Sequence, residues 1–173
     1  GEDWKNLWTA NKQLKESKIF VDDSSLTTPT DLISKCRRLK AKEGLDLVMI
    51  DYIQLMSGSK RSRENRQPEV SDITRNLKIM AKELNVPVIA LSQLRRIQSK
   101  EPQLSDLRES GAIEQDADIV MFIHRPDKYL TEKEIESGTV EKNVAELIVA
   151  KHRNGGLGTI KLYFKGESTK FMN

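Results

Sequence analysis

The stretch Leu45-Asp46-Leu47-Val48-Met49-Ile50-Asp51 is a nearly continuous apolar run that ends in a carboxylate. That is how a central parallel strand, covered on both faces, reads in sequence. A second such run, Val86 to Leu91, ends in Ser92-Gln93, and a third spans Ile119 to Ile123. Between the first two, starting from Pro68, the apolar positions Val70, Ile73, Leu77, Met80 and Leu84 recur at helical spacing. Strands alternating with helices define an α/β fold with a mainly parallel sheet, and such sheets bind ligands outside the carboxyl ends of their strands.

Working outward, Thr28-Pro29-Thr30-Asp31 predicts a helix start, with Thr28 as N-cap, Pro29 at the first helical position and Asp31 reaching back. Leu32, Ile33, Cys36 and Leu39 line this helix, and Gly44 suits its end. Ahead of it, Ile19-Phe20-Val21 reads as a short strand closed by Asp22-Asp23-Ser24-Ser25, where the two acids suit a turn. Trp4, Leu7, Trp8 and Leu14 share one face of a first helix that ends before Ser17. Toward the other end, residues 125–143 read as a polar insertion with one short helix, capped by Thr131 with Glu134 three residues on. Ala145 to Ala150 and Thr159 to Phe164 flank Asn154-Gly155-Gly156, a hairpin signal.

Composition excludes several classes. In 173 residues, 37% hydrophobic and 32% charged, no stretch approaches the ~18 apolar residues of a membrane span. One cysteine excludes a disulfide scaffold, and two histidines do not build a metal cage. The net charge of +3 conceals local clusters. Gly58 to Gln67 holds Lys60, Arg61, Arg63 and Arg66 against Glu64, and a second basic stretch holds Arg95, Arg96 and Lys100. Without aromatic residues for stacking, such loops would meet a nucleic acid through its phosphates, with little base preference. The acidic, amphipathic opening Gly1-Glu2-Asp3-Trp4 is no signal peptide and reads as the interior of a longer protein.

Three polar groups fall at the expected ligand edge, Asp22/Asp23, Asp51 and Ser92-Gln93, and a cationic cluster stands apart from them before the hairpin turn. Asp51 has the pattern of a Walker B carboxylate, which holds magnesium through bound waters, although strands also end in Asp simply to cap a turn. Gln93, at the end of the next strand, can sense a terminal phosphate or orient water. Lys151-His152-Arg153-Asn154-Gly155 places cationic donors just before a tight turn, and arginine offers a planar fork for phosphate oxygens. His152, on the opposite face, reads as structural. Asp116 and Asp118 stand just before a strand, where caps or turn bonds explain them. Among nine glycines there is no G-x-x-x-x-G-K-[ST], so no phosphate cradle partners Asp51 in these residues.

Asp51-Tyr52-Ile53-Gln54-Leu55-Met56, Leu91-Ser92-Gln93-Leu94, Leu104-Ser105-Asp106-Leu107-Arg108-Glu109-Ser110-Gly111 with Glu114-Gln115-Asp116-Ala117-Asp118, and Ala150-Lys151-His152-Arg153-Asn154-Gly155 occur in that order. Together, from about Ile19 to Phe171, they resemble the C-terminal RecA-like motor domain of bacterial replicative DNA helicases of the DnaB type. The resemblance implies a three-layer RecA-like fold. Residues 1–173 would then be one partial motor domain from the Walker B strand onward, without the P-loop strand. It also implies an ATP- and Mg2+-dependent helicase that moves on single-stranded DNA as a homo-hexameric ring in the bacterial cytoplasm, with a primase and a helicase loader as partners and no membrane. Asp51 would hold magnesium through water. Gln93 would link the γ-phosphate to the DNA loops, and Arg153 with Lys151 would reach the neighbouring subunit's ATP. Arg108, Glu109 and Gly111 would line the DNA strand, opposite the loop of Lys60, Arg61, Arg63 and Arg66. A phage or organellar primase-helicase is the rival enzyme. Without a P-loop, the residues taken alone also suit a non-catalytic single-strand-binding or assembly module.

Overall fold

A computed structural model describes residues 1–24, 27–58, 66–94, 101–107, 111–128 and 141–172, with only the backbone at Arg66. The elements are α1 (Glu2–Glu16), α2 (Pro29–Glu43), β1 (Val48–Ile50), α3 (Arg66–Leu84), β2 (Val88–Ala90), α4 (Gly111–Asp116), β3 (Ile119–His124), β4 (Val144–His152), β5 (Gly158–Lys165) and β6 (Lys170–Met172). Short 3-10 turns cover Ile53–Leu55, Leu104–Asp106, Pro126–Lys128 and Gly166–Ser168. No described helix is long and apolar enough to cross a membrane.

The main core forms where the helical stripe meets the first strands. Val70, Ile73, Leu77, Met80 and Leu84 of α3 are buried together with Val48, Ile53, Met56, Val86 and Cys36. Burial pushes the Cys36 thiol pKa up, in keeping with a small apolar role. The capping box at α2 is complete, with Thr28 accepting from the Asp31 N–H and Asp31 accepting from the Thr28 backbone. Gly44 ends α2 at φ 85°, a conformation that favours glycine. Arg37 donates two bonds to Glu83, at 2.6 and 2.8 Å, and Lys40 donates to the Leu84 carbonyl, tying α2 to the end of α3.

β1 and β2 pair in parallel, Val48 with Val88 and Ile50 with Ala90. The other strands form an antiparallel sheet in the order β3-β4-β5-β6. Parallel pairing among the described residues is therefore confined to β1–β2, and β3 takes β4 as its partner instead of extending the parallel ladder. The expected hairpin is present, with β6 added beyond it through Tyr163–Met172 pairing.

Some expectations need correction. Ile19-Phe20-Val21 belongs to no strand, and all three side chains are exposed. A strand exists only with a lateral partner, and none of the described strands lies beside this one. The apolar runs of β1 and β3 are not covered on both faces either. Val120, Phe122 and His124 of β3 are buried while Ile119, Met121 and Ile123 are exposed, and Met49 of β1 is 66% exposed. Helix α1 forms where expected, yet its Trp4, Leu7, Trp8 and Leu14 face is exposed. The helix expected near Thr131 lies outside the described residues.

The stripe makes α3 a sensitive helix on one side only. Ile73→Ala, at a fully buried position, is expected to cost about 2–5 kcal/mol. Ile79→Ala, at a half-exposed position of the same helix, should stay within about 0.5 kcal/mol. Equal losses in urea unfolding would contradict the packing described.

Asp22 gives a second test. It accepts from Lys35 Nζ at 2.6 Å and from the Ser24 backbone at 3.2 Å, and its pKa is lowered to about 2 by these bonds, that to Lys35 foremost. A depressed carboxyl contributes stability above its ordinary pKa, and that contribution is lost as pH falls through the folded value. The window is from the ordinary 3.8 down to about 2. Lys35→Met should move the Asp22 midpoint, followed by NMR, back toward 3.8; an unmoved midpoint would show that the pair does not set it.

Candidate functional site

The parallel register fixes the first half of the site. Ile50 and Ala90 are partners, so Asp51 and the Ser92-Gln93 segment leave the same end of adjacent strands. The Leu91 N–H donates to the Ile50 carbonyl at 2.9 Å and the Ile53 N–H to the Leu91 carbonyl at 3.0 Å, extending the pairing past the strand ends. Asp51 and Gln93 are both exposed there, and the Asp51–Tyr52 peptide is cis.

Gln54, to which the sequence pattern assigns no role, holds this edge together. Its side chain donates from Nε2 to Ser92 Oγ at 2.9 Å and to the Gln93 carbonyl at 3.4 Å, and its Oε1 accepts from the Gln93 N–H at 3.3 Å. It clasps the end of β2 as another strand's backbone would, and the Gln93 side-chain amide takes no part in the clasp. The signal available in sequence is an amide three residues past the Asp51 strand end, opposite Ser92-Gln93.

Lys151 and Arg153 occupy the other sheet. Lys151 Nζ donates to the carbonyls of Glu114 and Ala117, the latter at 2.9 Å. These are carbonyls at the end of α4, which lack helical donors. Lys151 is thus bound to its own chain at the end of α4. Arg153 is half exposed. Its N–H donates to the Asp118 carbonyl at 2.9 Å, and its guanidinium lies 3.2 Å from the Asp118 carboxylate. No side-chain bond joins Lys151 or Arg153 to Asp51 or Gln93 among the described residues. A Cβ on Gly155 would overlap the His152 imidazole, so His152 packs on the turn and the glycine makes room for it.

Asp116 and Asp118 turn out to be tethers between elements rather than local caps. Thr74 Oγ1 donates to Asp116 at 2.6 Å and Lys78 pairs with Asp118, which joins α3 to the end of α4. The Asp118 pKa is lowered, first by the Lys78 bond and then by the charges of Lys78, Arg153 and Lys82.

The basic segments are bracketed rather than described. Gly58 donates its N–H to the buried Glu69 at 2.9 Å, which pins the start of one segment to the first turns of α3. Arg66 contributes backbone to α3, and Gly111 is exposed as the first residue of α4. Lys60, Arg61, Arg63, Arg108 and Glu109 lie outside the described residues, as do Arg95, Arg96 and Lys100.

Parallel strands ending in a carboxylate and a glutamine, with a cation-bearing antiparallel hairpin, are the features of a RecA-like ATPase domain. The chain belongs to the DnaB-like helicase C terminal domain family, which matches residues 1–173. It is 51% identical over 176 residues to the replicative DNA helicase DnaB of Geobacillus stearothermophilus, an alignment covering 99% of this chain and 37% of the relative. It is 52% identical to the replicative DNA helicase DnaC of Bacillus subtilis, with the same coverage. The chain thus spans little more than a third of the length of these relatives. Two solved structures match all of it at 45% identity. One, a DnaB-like replicative helicase described with its interactions with primase, gives a TM-score of 0.89 over 42% of its own chain. The other, described as an ATPase domain, gives 0.90 over 61%.

The clasp predicts local behaviour. Gln54→Ala removes one modest bond to the Gln93 N–H, so amide exchange at Gln93 should rise roughly three- to tenfold with little change elsewhere in β2. Unchanged exchange at Gln93 would mean that Gln54 does not hold the strand end.

Proposed function

We propose that these residues form the Walker B, phosphate-sensing and trans-finger part of a ring-forming replicative DNA helicase. The parent protein hydrolyses ATP to ADP and phosphate between subunits while moving along single-stranded DNA. The observation that carries this reading is the shared end of β1 and β2, with Asp51 and Gln93 exposed side by side, in a chain of the DnaB-like family.

Asp51 stands alone as a carboxylate, and no cluster of three or more His, Cys, Asp or Glu among the described residues could cage a metal. That donor set fits magnesium, which keeps several waters and takes further ligands from substrate phosphates. When bound there, the ion neutralises charge on the phosphate oxygens. Asp51 would hold such an ion through bound waters. Gln93, its backbone held by Gln54, would offer its side-chain amide to the terminal phosphate and the attacking water. Arg153 lies on a different sheet from Asp51 and is half exposed, which supports delivery to a neighbouring subunit's nucleotide. Lys151 supports that delivery by anchoring the hairpin to α4.

The residues Lys60, Arg61, Arg63 and Arg66, with Arg108, Glu109 and Gly111, take the DNA strand. Their charge is suited to phosphates, so binding is indifferent to base sequence. The partners of the parent are further copies of the chain in a homo-hexamer, a primase and a helicase loader, at the replication fork in the bacterial cytoplasm. The absence of G-x-x-x-x-G-K-[ST] from these residues favours a second reading for the chain taken alone, a DNA-binding or assembly module without hydrolysis.

An arginine fork on a γ-phosphate is worth ~10³–10⁵ in rate. In the full-length parent, Arg153→Ala and Asp51→Asn should each nearly abolish hydrolysis. Mixed under conditions of subunit exchange, the two should regain it at interfaces that pair an intact Asp51 with an intact Arg153. Mixed rings as inactive as either parent, with exchange demonstrated, would refute action in trans.

A further inference from the structure

Asp118 sits at a junction that the reading above does not use. It is the residue before β3, directly across from Arg153, the residue after β4. It holds Arg153 twice, by its carbonyl to the Arg153 N–H at 2.9 Å and by its carboxylate to the guanidinium at 3.2 Å. The same carboxylate pairs with Lys78 of α3. Two residues earlier, Asp116 accepts from Thr74 of α3 at 2.6 Å. Lys151 donates to the carbonyls of Glu114 and Ala117 on either side. Four elements, α3, α4, β3 and β4, therefore meet at residues 114–118.

Lys151 and Arg153 are both bound at the end of α4, Arg153 also to the Gln115 carbonyl at 3.4 Å. We propose that Asp118 is a positioning residue for Arg153, which holds the guanidinium at the α3–α4 junction in the one direction from which it reaches the neighbouring ATP site. The inference rests on the trans-finger reading of Arg153.

The burial argues against a role in stability alone. Side chains of Asp118 and Arg153 are 53% and 52% exposed, and ion pairs so open to water contribute little to folding. What such a pair can still do is select one direction for a long side chain. A misplaced catalytic group costs rate far out of proportion to the energy that aimed it, about 10²-fold for ~1 Å.

The test uses the full-length ring. Asp118→Asn, which keeps shape and removes charge, should lower kcat for ATP hydrolysis roughly 10- to 100-fold. KM for ATP should stay within about twofold, since uniform binding is untouched. The melting temperature should stay within about 3 °C. Asp118→Glu, which keeps the charge, should recover part of the rate. Two further readouts exclude a purely structural effect. The double variant Asp118→Asn/Arg153→Ala should be no slower than Arg153→Ala alone, because both act through one group. Mixed with Asp51→Asn subunits, Asp118→Asn should be complemented as Arg153→Ala is. Normal kcat in Asp118→Asn alongside an inactive Arg153→Ala would overturn the proposal, as would multiplied losses in the double variant. Normal hydrolysis by Arg153→Ala would instead overturn the finger reading beneath it.

Discussion

The burial of one helical stripe governs the geometry of the strand ends. Val70, Ile73, Leu77, Met80 and Leu84 cover one face of β1 and β2, and that burial fixes how the two strands lie side by side. Slipping the β1–β2 register by one residue would turn Val48 and its neighbours away from α3, so the register is held by the core. With Ile50 beside Ala90, Asp51 and Gln93 have no freedom to separate. Gln54 then closes the pairing one step beyond the strands, with side-chain atoms in place of a ladder. A carboxylate and an amide at neighbouring parallel strand ends are thus a by-product of packing, and they are also what phosphate chemistry needs.

The second half of the site is organised by charge rather than by burial. Around residues 114–118, two cations of the hairpin and one of α3 meet helix-end carbonyls and a carboxylate. The Asp118 pKa is lowered, first by the Lys78 bond, which favours the ionised carboxylate that Arg153 pairs with. The two halves meet through α3, which packs β1 and β2 on its apolar stripe and reaches α4 and Asp118 through Thr74 and Lys78. One helix therefore supports both the strand ends and the junction that holds the hairpin.

Features decided by neighbours in sequence were legible there. The α2 capping box involves residues three apart, and the α3 stripe depends only on helical period, so both follow from the sequence. The strands were legible as apolar runs, but their coverage was not. A run such as Ile119 to Ile123 suggests burial on both sides, whereas β3 is covered on one. Whether Ile19-Phe20-Val21 forms a strand depends on a lateral partner, which local pattern does not encode. At the candidate site, the placement of Asp51 and Gln93 at neighbouring strand ends was legible, because each follows an apolar run that reads as a parallel strand. The tethers were not, since Lys78 and Asp118 stand forty residues apart and a lone Asp before a strand looks the same whether it caps or bridges. The α4 carbonyls that Lys151 binds were not legible either, since nothing near it in sequence reveals them.

The central claim is that the site is divided, with Asp51 and Gln93 on one subunit and Arg153 on the next. A structure of the full-length ring with a non-hydrolysable ATP analogue and single-stranded DNA tests it most directly. The account predicts the Arg153 guanidinium of one subunit within about 3 Å of the γ-phosphate that faces Asp51 and Gln93 of its neighbour. It would be contradicted by nucleotide-filled interfaces in which Arg153 is always turned away and the γ-phosphate is contacted only from the subunit that carries Asp51.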